Sequence, residues 1–304
     1  MTNQQSLSVG VVGLGAMGLG VARSLLRAGF TVHACDVRPE VLAMISAERA
    51  HPHESAAALA PHVDALIVLV VNADQTEQVL FGPDGAAQHM KPGSVVIASS
   101  TVPPHYAEDL GKRLAAMGLR HLDAPVSGGA ARAATGEMTI MASGSPDTFA
   151  HVEKVLEAIS AKVYRLGDHS GMGSKVKMIN QLLAGVHIAA ATEAMALGIR
   201  AGIDPETLYE VISNSAGSSW MFQNRVPHIL SGDYTPLSAV NIFVKDLGIV
   251  LDSARKFTFP LPLTSAAHQM YLATSASGLG AEDDSSVIKM FQKLTGIELP
   301  KKDA

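Results

Sequence analysis

Six residues near the amino end, Gly13-Leu14-Gly15-Ala16-Met17-Gly18, narrow the possible folds more than any other feature of the chain. Ser8 to Val12 reads as a short strand before them. An amphipathic helix reads after them, with Val21, Ala22, Leu25 and Leu26 on one face. Gly29 ends that helix, and Thr31 to Cys35 forms a second strand that closes on Asp36. In a strand–turn–helix of this kind the first glycine allows the tight turn and the second lets the backbone approach a pyrophosphate. The third lets helix and strand pack closely, and the phosphates sit at the helix N-terminus. Gly13, Gly15 and Gly18 take those places, with Ala16 and Met17 between them. Asp36 stands where an acid accepts hydrogen bonds from the adenosine ribose hydroxyls. A carboxylate repels a 2′-phosphate, so NAD is expected over NADP. Arg38, two residues on, softens that preference.

Strand and helix keep alternating through the first half. Residues 64–71 read as a buried parallel strand and 93–101 as another. Thr101, at the carboxyl edge of such a sheet, either contacts the nicotinamide side of the cofactor or caps the helix that follows Pro103-Pro104. A further strand ends at Asp123. Beyond it, Ser127, Gly128 and Gly129 form a turn offering a hydroxyl and backbone N–H groups, which suits an oxyanion as well as it suits an ordinary glycine turn. After "KVYRLGDHSGMG" the texture changes to long helical patterns, beginning with one helix from Ser174 to about Ala201. The expected architecture is α/β: a doubly wound Rossmann domain over 1–167, one long connecting helix, and an all-α domain over 168–304.

Composition excludes other classes. The formal net charge of −5 over 304 residues leaves no basic footprint for nucleic acid. The amino end shows no signal peptide, and the apolar run from Leu182 to Gly202 is broken by His187, Glu193 and Arg200, so it reads as a buried helix and not a membrane span. Cys35 is the one cysteine, which fits a reducing compartment and a cytoplasmic protein. The histidines are read as lacking metal-ligand spacing, so no metal is expected.

"GMGSKVKMINQLL" places Lys175 and Lys177 at the mouth of the long helix. Two residues apart, they lie roughly 200° apart around it. Asn180 and Gln181 fall on the Lys177 side, at i+3 and i+4. A stripe of lysine and amides one turn inside a helix suits a substrate cradle. Desolvation and a nearby cationic nicotinamide would supply a neutral amine for proton abstraction. An exposed, solvated lysine has the same spacing.

The chain resembles the β-hydroxyacid dehydrogenases, the family of 3-hydroxyisobutyrate dehydrogenase and tartronate semialdehyde reductase. The resemblance rests on "GLGAMG", "DAPVSGG", Gly171-x-Gly173-x-x-x-Lys177-x-x-Asn180 and Lys245-Asp246 in "FVKDLGIVLD", in order and over nearly the whole chain. It implies Lys177 as the catalytic lysine, Ser127, Gly128 and Gly129 as the carboxylate site, and Asn180 as a positioner of substrate and lysine. Thr101 and Lys245 become cofactor contacts, with Asp246 holding Lys245. The chain departs from the usual pattern at Gln181, where asparagine is common, at Arg132, where glycine is usual, and at Ser238. A guanidinium and polar replacements suit a polyhydroxylated acid, although Arg132 equally suits a structural ion pair. Trp220, the one tryptophan, either walls the pocket or packs as an ordinary aromatic. Within the family the pattern is most similar to the branch that oxidises L-threonate. The expected reaction is therefore NAD-dependent oxidation of L-threonate at C2 with Lys177 as general base. The alternatives are 3-hydroxyisobutyrate and tartronate semialdehyde chemistry on the same residues. The resemblance also implies a homodimer or homotetramer whose one other partner is a small hydroxy acid.

Overall fold

In a computed structural model that describes residues 7–301, the first strand and its neighbours form a six-stranded sheet. The strands are β1 (Ser8–Val12), β2 (Thr31–Cys35), β3 (His51–Pro52), β4 (Ala65–Val68), β5 (Val95–Ala98) and β6 (Arg120–Asp123). Their order is β3-β2-β1-β4-β5-β6, and every pair is parallel. That is the doubly wound order, in which ligands bind at the carboxyl ends where the winding reverses, here between β1 and β4. Strand β4 is buried along its whole length, as a central strand covered on both faces must be. Val9, Val11, Ile67, Ile97 and Leu122 face one apolar core. Val12, Leu66, Val68, Val96 and Ala98 face the other. The alternation along each strand thus feeds both layers.

A second, three-stranded sheet follows that the sequence pattern did not reveal: β7 (Val126–Ser127), β8 (Met138–Ala142) and β9 (Ser160–Arg165). Strand β7 runs antiparallel to β8, and β9 parallel to it. A short helix, Gly129–Thr135, fills the turn between β7 and β8.

The long helix spans Met172–Arg200 and is one continuous element. By length and composition it would suffice to cross a membrane. Its buried side, however, supplies Ile188, Ala189, Ala191, Met195 and Ala196 to the helical cores. Helices Pro205–Ser213, Trp220–Ser231, Val240–Lys256, Pro262–Thr274 and Ile288–Thr295 follow it. The polar anchor of this helical part is Arg225, whose Nε lies 2.6 Å from Oδ1 of the fully buried Asp284.

The chain divides into two compact units inside the long helix, after Lys177. The reason is local bonding. The first turns of the helix are hydrogen-bonded into the first unit, through Asp123 to Gly171 and Ser174 and through Glu108 to Lys175.

Candidate active site

The glycine loop leaves β1 and enters helix Gly18–Arg27 as its spacing requires. A Cβ on Gly18 would lie 1.8 Å from the Gly13 carbonyl oxygen, so only glycine lets the helix start this close to the turn. A Cβ on Gly15 would meet nothing within 4 Å. The space above the middle of the loop is open, at the N-terminus of a helix with no side-chain cap. Those residues fit a pyrophosphate. Asp36 ends β2 and reaches back to the loop: its Oδ2 accepts from the Leu14 N–H at 2.6 Å. Arg38 donates to Oδ1 from its backbone N–H at 3.0 Å and from Nε at 2.9 Å. Burial alone would raise this carboxyl, but these donors together hold it below the usual carboxylate range. It is ionised at neutral pH, and each of its oxygens already accepts two hydrogen bonds, Arg38 Nη2 adding one to Oδ2 at 3.2 Å. Thr101 follows β5 but does not cap the next helix, whose N-cap is Pro103.

Strand β6 carries Asp123, and three residues on the chain enters β7, ending at Ser127. Gly128 takes a φ of +125° and Gly129 one of +71°, and Gly128 caps the short helix without a side-chain bond. The turn thus presents the Ser127 hydroxyl and the first amides of that helix, a donor set for a carboxylate. The aliphatic stem of Arg132 lies over Gly128, where a Cβ would meet its Cδ at 2.8 Å. Among the described residues Arg132 makes no ion pair, so the structural pairing that its charge equally suited is not what holds it.

The two lysines separate as the helical projection requires. Lys175 is half-exposed, with Nζ 2.7 Å from Oε1 of Glu108. Lys177 is 7 % exposed on the other side of the helix. Asn180 lies one turn beyond it, and its Nδ2 donates to Gln181 Oε1 at 3.0 Å. Gln181 in turn donates from Nε2 to Asp246 Oδ2 at 2.5 Å, and Lys245 Nζ sits 2.6 Å from Asp246 Oδ1. Lys245 and Asp246 are thus ion-paired neighbours. Gln181 is buried and committed to that carboxylate, a role that its spacing from Lys177 did not suggest. Trp220 opens its helix at 55 % exposure and is not a packed core aromatic.

Two features escaped the sequence reading. Asp123 is buried and holds the start of the lysine helix, and only its place in "DAPVSGG" marked it. His33, His51, His53 and His62 gather at the β2–β3 edge with ring centroids 5.0 to 5.5 Å apart. His51-Pro52-His53 is an H-x-H spacing that the reading of the histidines passed over. Even so, among the described residues no group of three or more histidine, cysteine or acidic side chains is arranged to hold a metal ion.

Residues 8–167 match the model for the NAD binding domain of 6-phosphogluconate dehydrogenase. Residues 171–291 match that for the NAD-binding domain of NADP-dependent 3-hydroxyisobutyrate dehydrogenase. The chain is 66% identical to an L-threonate dehydrogenase of Cupriavidus necator, over 98% of this chain and 99% of that one. It is 53% identical to an L-threonate dehydrogenase of Escherichia coli, over 99% of each chain. A crystal structure described as 3-hydroxyisobutyrate dehydrogenase from Salmonella typhimurium superposes with a TM-score of 0.90 at 55% identity, covering 94% of this chain and 100% of that one.

Proposed function

The chain belongs to the family of 3-hydroxyisobutyrate dehydrogenase, the β-hydroxyacid dehydrogenases, and from that premise we propose that it oxidises L-threonate at C2 with NAD, using Lys177 as general base. It is a nicotinamide-dependent dehydrogenase acting on the CH–OH group of a hydroxy acid. Full-length relatives at 50–66% identity carry the name L-threonate dehydrogenase, which supports the substrate. The single observation that carries the mechanism is the placement of Lys177. It is a buried amine one turn into a helix whose start is bonded to β6, the strand that leads into the Ser127–Gly129 turn.

In the proposed reaction the carboxylate docks on the Ser127 hydroxyl and the Gly128 and Gly129 amides. Lys177 Nζ takes the proton of the C2 hydroxyl; a nicotinamide cofactor held by the Gly13–Gly18 loop would supply the acceptor for the hydride from C2. The product is a 2-oxo acid. Asn180 orients the hydroxyl, Arg132 and Trp220 serve the polyhydroxylated chain, and Thr101, Lys245 and Asp246 serve the cofactor. NAD is favoured over NADP because the Asp36 carboxylate is ionised beside the loop. The protein acts in the cytoplasm as a homodimer or homotetramer. The exposed apolar side chains of Ile179, Leu183 and Leu197 on the long helix support self-association.

The same machinery suits 3-hydroxyisobutyrate, the substrate class named for the Salmonella structure. The experiment is the rate of NADH formation with L-threonate beside D-threonate, D-erythronate, D-glycerate and 3-hydroxyisobutyrate, each with NAD and with NADP. The expected result is a clear preference for L-threonate with NAD. A preference for 3-hydroxyisobutyrate overturns the substrate assignment and leaves the lysine chemistry in place.

A further inference from the structure

We propose that Asp123 is a positioning residue for the reaction: its carboxylate fixes the general base relative to the carboxylate-binding turn. This rests on the reading of Lys177 as the base.

Asp123 is 1 % exposed and accepts hydrogen bonds from both ends of one helical turn. Its Oδ2 takes the Gly171 N–H at 2.8 Å and the Ser174 N–H at 2.9 Å, and its Oδ1 takes the Ser174 hydroxyl at 2.7 Å. The Ser143 hydroxyl adds a bond to Oδ2 at 3.2 Å and also receives the Gly173 N–H at 3.0 Å. These are the first N–H groups of the long helix, which no intrahelical carbonyl serves. Burial pushes the Asp123 carboxyl up, and the donors from Ser174, Gly171 and Ser143 oppose that. At the same place a Cβ on Gly173 would lie 2.4 Å from the Met141 carbonyl oxygen and 2.7 Å from that of Asp123. The helix start is thus pressed against β6 and β8 as well as bonded to them.

Lys177 is one turn further along. In the other direction, the chain leaves β6 at Asp123 and passes Ala124 and Pro125 into β7, which ends at Ser127 just before Gly128. One side chain therefore ties the element that carries the amine to the end of the strand from which the chain runs on to the oxyanion donors. General-base catalysis depends on the amine reaching the hydroxyl proton within hydrogen-bond distance, and a displacement of about 1 Å costs on the order of a hundredfold in rate. The arrangement also gives physical content to the Gly-x-Gly-x-x-x-Lys spacing. The first glycine donates to Asp123, the second allows contact, and the lysine follows at a fixed height.

The test is Asp123→Asn, whose amide nitrogen would face the N–H groups that now point at a carboxylate oxygen. The expected result is a fall in kcat of about a hundredfold, with KM for the hydroxy acid and Kd for NAD within about twofold, since Asp123 touches neither in this reading. Ser174→Ala removes one donor and keeps the carboxylate, so it serves if the asparagine variant folds poorly. It should lower kcat by a smaller factor at unchanged KM. The double variant Asp123→Asn/Lys177→Ala should turn over no more slowly than Lys177→Ala alone, because the base to be placed is gone. Unchanged kcat in both single variants overturns the proposal. So does a loss expressed in KM or NAD affinity, or an Asp123→Asn effect of the same factor with and without Lys177. Near wild-type turnover of Lys177→Ala would instead overturn the functional reading.

Discussion

At the scale of single residues, the proposed chemistry turns on which of two similar side chains is buried. Lys175 and Lys177 are equivalent by composition, and the helical period separates them. One pairs with Glu108 at the surface, and the other is enclosed. The glycine loop was equally legible, because each of its glycines answers to a steric demand. Gly18→Ala should lower the unfolding free energy by ~1–3 kcal/mol through overpacking against Gly13 and weaken NAD binding, measured by denaturant melts and by titration of the bound nucleotide. Gln181 was less legible: periodicity placed it beside Lys177, but not the contact with Asp246 that holds it. Asp36 makes the cofactor preference testable. Asp36→Ser removes the negative charge that opposes a 2′-phosphate while Arg38 remains, so the ratio of kcat/KM for NAD to that for NADP should fall by about tenfold or more. An unchanged ratio would remove Asp36 from cofactor selection.

At the scale of elements, strands β1, β2, β4, β5 and β6 and the long helix followed from period and punctuation, while β3 and the second sheet did not. Strand β7 has two residues, too few for any alternation, and β9 is mostly exposed, so neither shows the apolar pattern of a buried strand. The helix Gly129–Thr135 begins on the glycines that marked a turn. In the helical part, Trp220–Ser231 continues through Pro227, a residue that argues for a break. That helix is tied down by the Arg225–Asp284 pair, which joins elements far apart in sequence and was invisible to local reading. Asp284→Ala leaves the Arg225 guanidinium buried without its partner. The expected cost is ~3–5 kcal/mol of stability, read from urea melts. Arg225→Met/Asp284→Leu should recover most of that loss by replacing the charges with apolar volume.

At the scale of the whole molecule, the change of texture after residue 167 announced two parts, but the units part after Lys177. Composition registers where strands stop, whereas compactness registers where hydrogen bonds hold. Asp123 keeps the first turns of the helix with the first unit. The histidines give the molecule an acid limit. Burial, then the neighbouring His53, His51 and His62 rings and Lys91, push His33 down to about 4. Burial also pushes His121 down to about 4. Unfolded histidines titrate near 6.5, so between these values the unfolded chain binds more protons than the folded one. Stability is then fully present above about pH 6.5 and is lost as pH falls toward 4. Thermal melts across that window should show the midpoint falling. His33→Gln should flatten the fall, and an identical slope in the variant would place the acid sensitivity elsewhere.

The central claim is that Lys177 performs the proton transfer in a nicotinamide-dependent oxidation of a hydroxy acid. The most direct measurement compares NADH formation from L-threonate by wild type and Lys177→Ala, with NAD affinity measured on the same preparations. The account predicts loss of nearly all turnover, on the order of a hundredfold or more, with NAD binding unchanged. Turnover near the wild-type rate in the variant would contradict it.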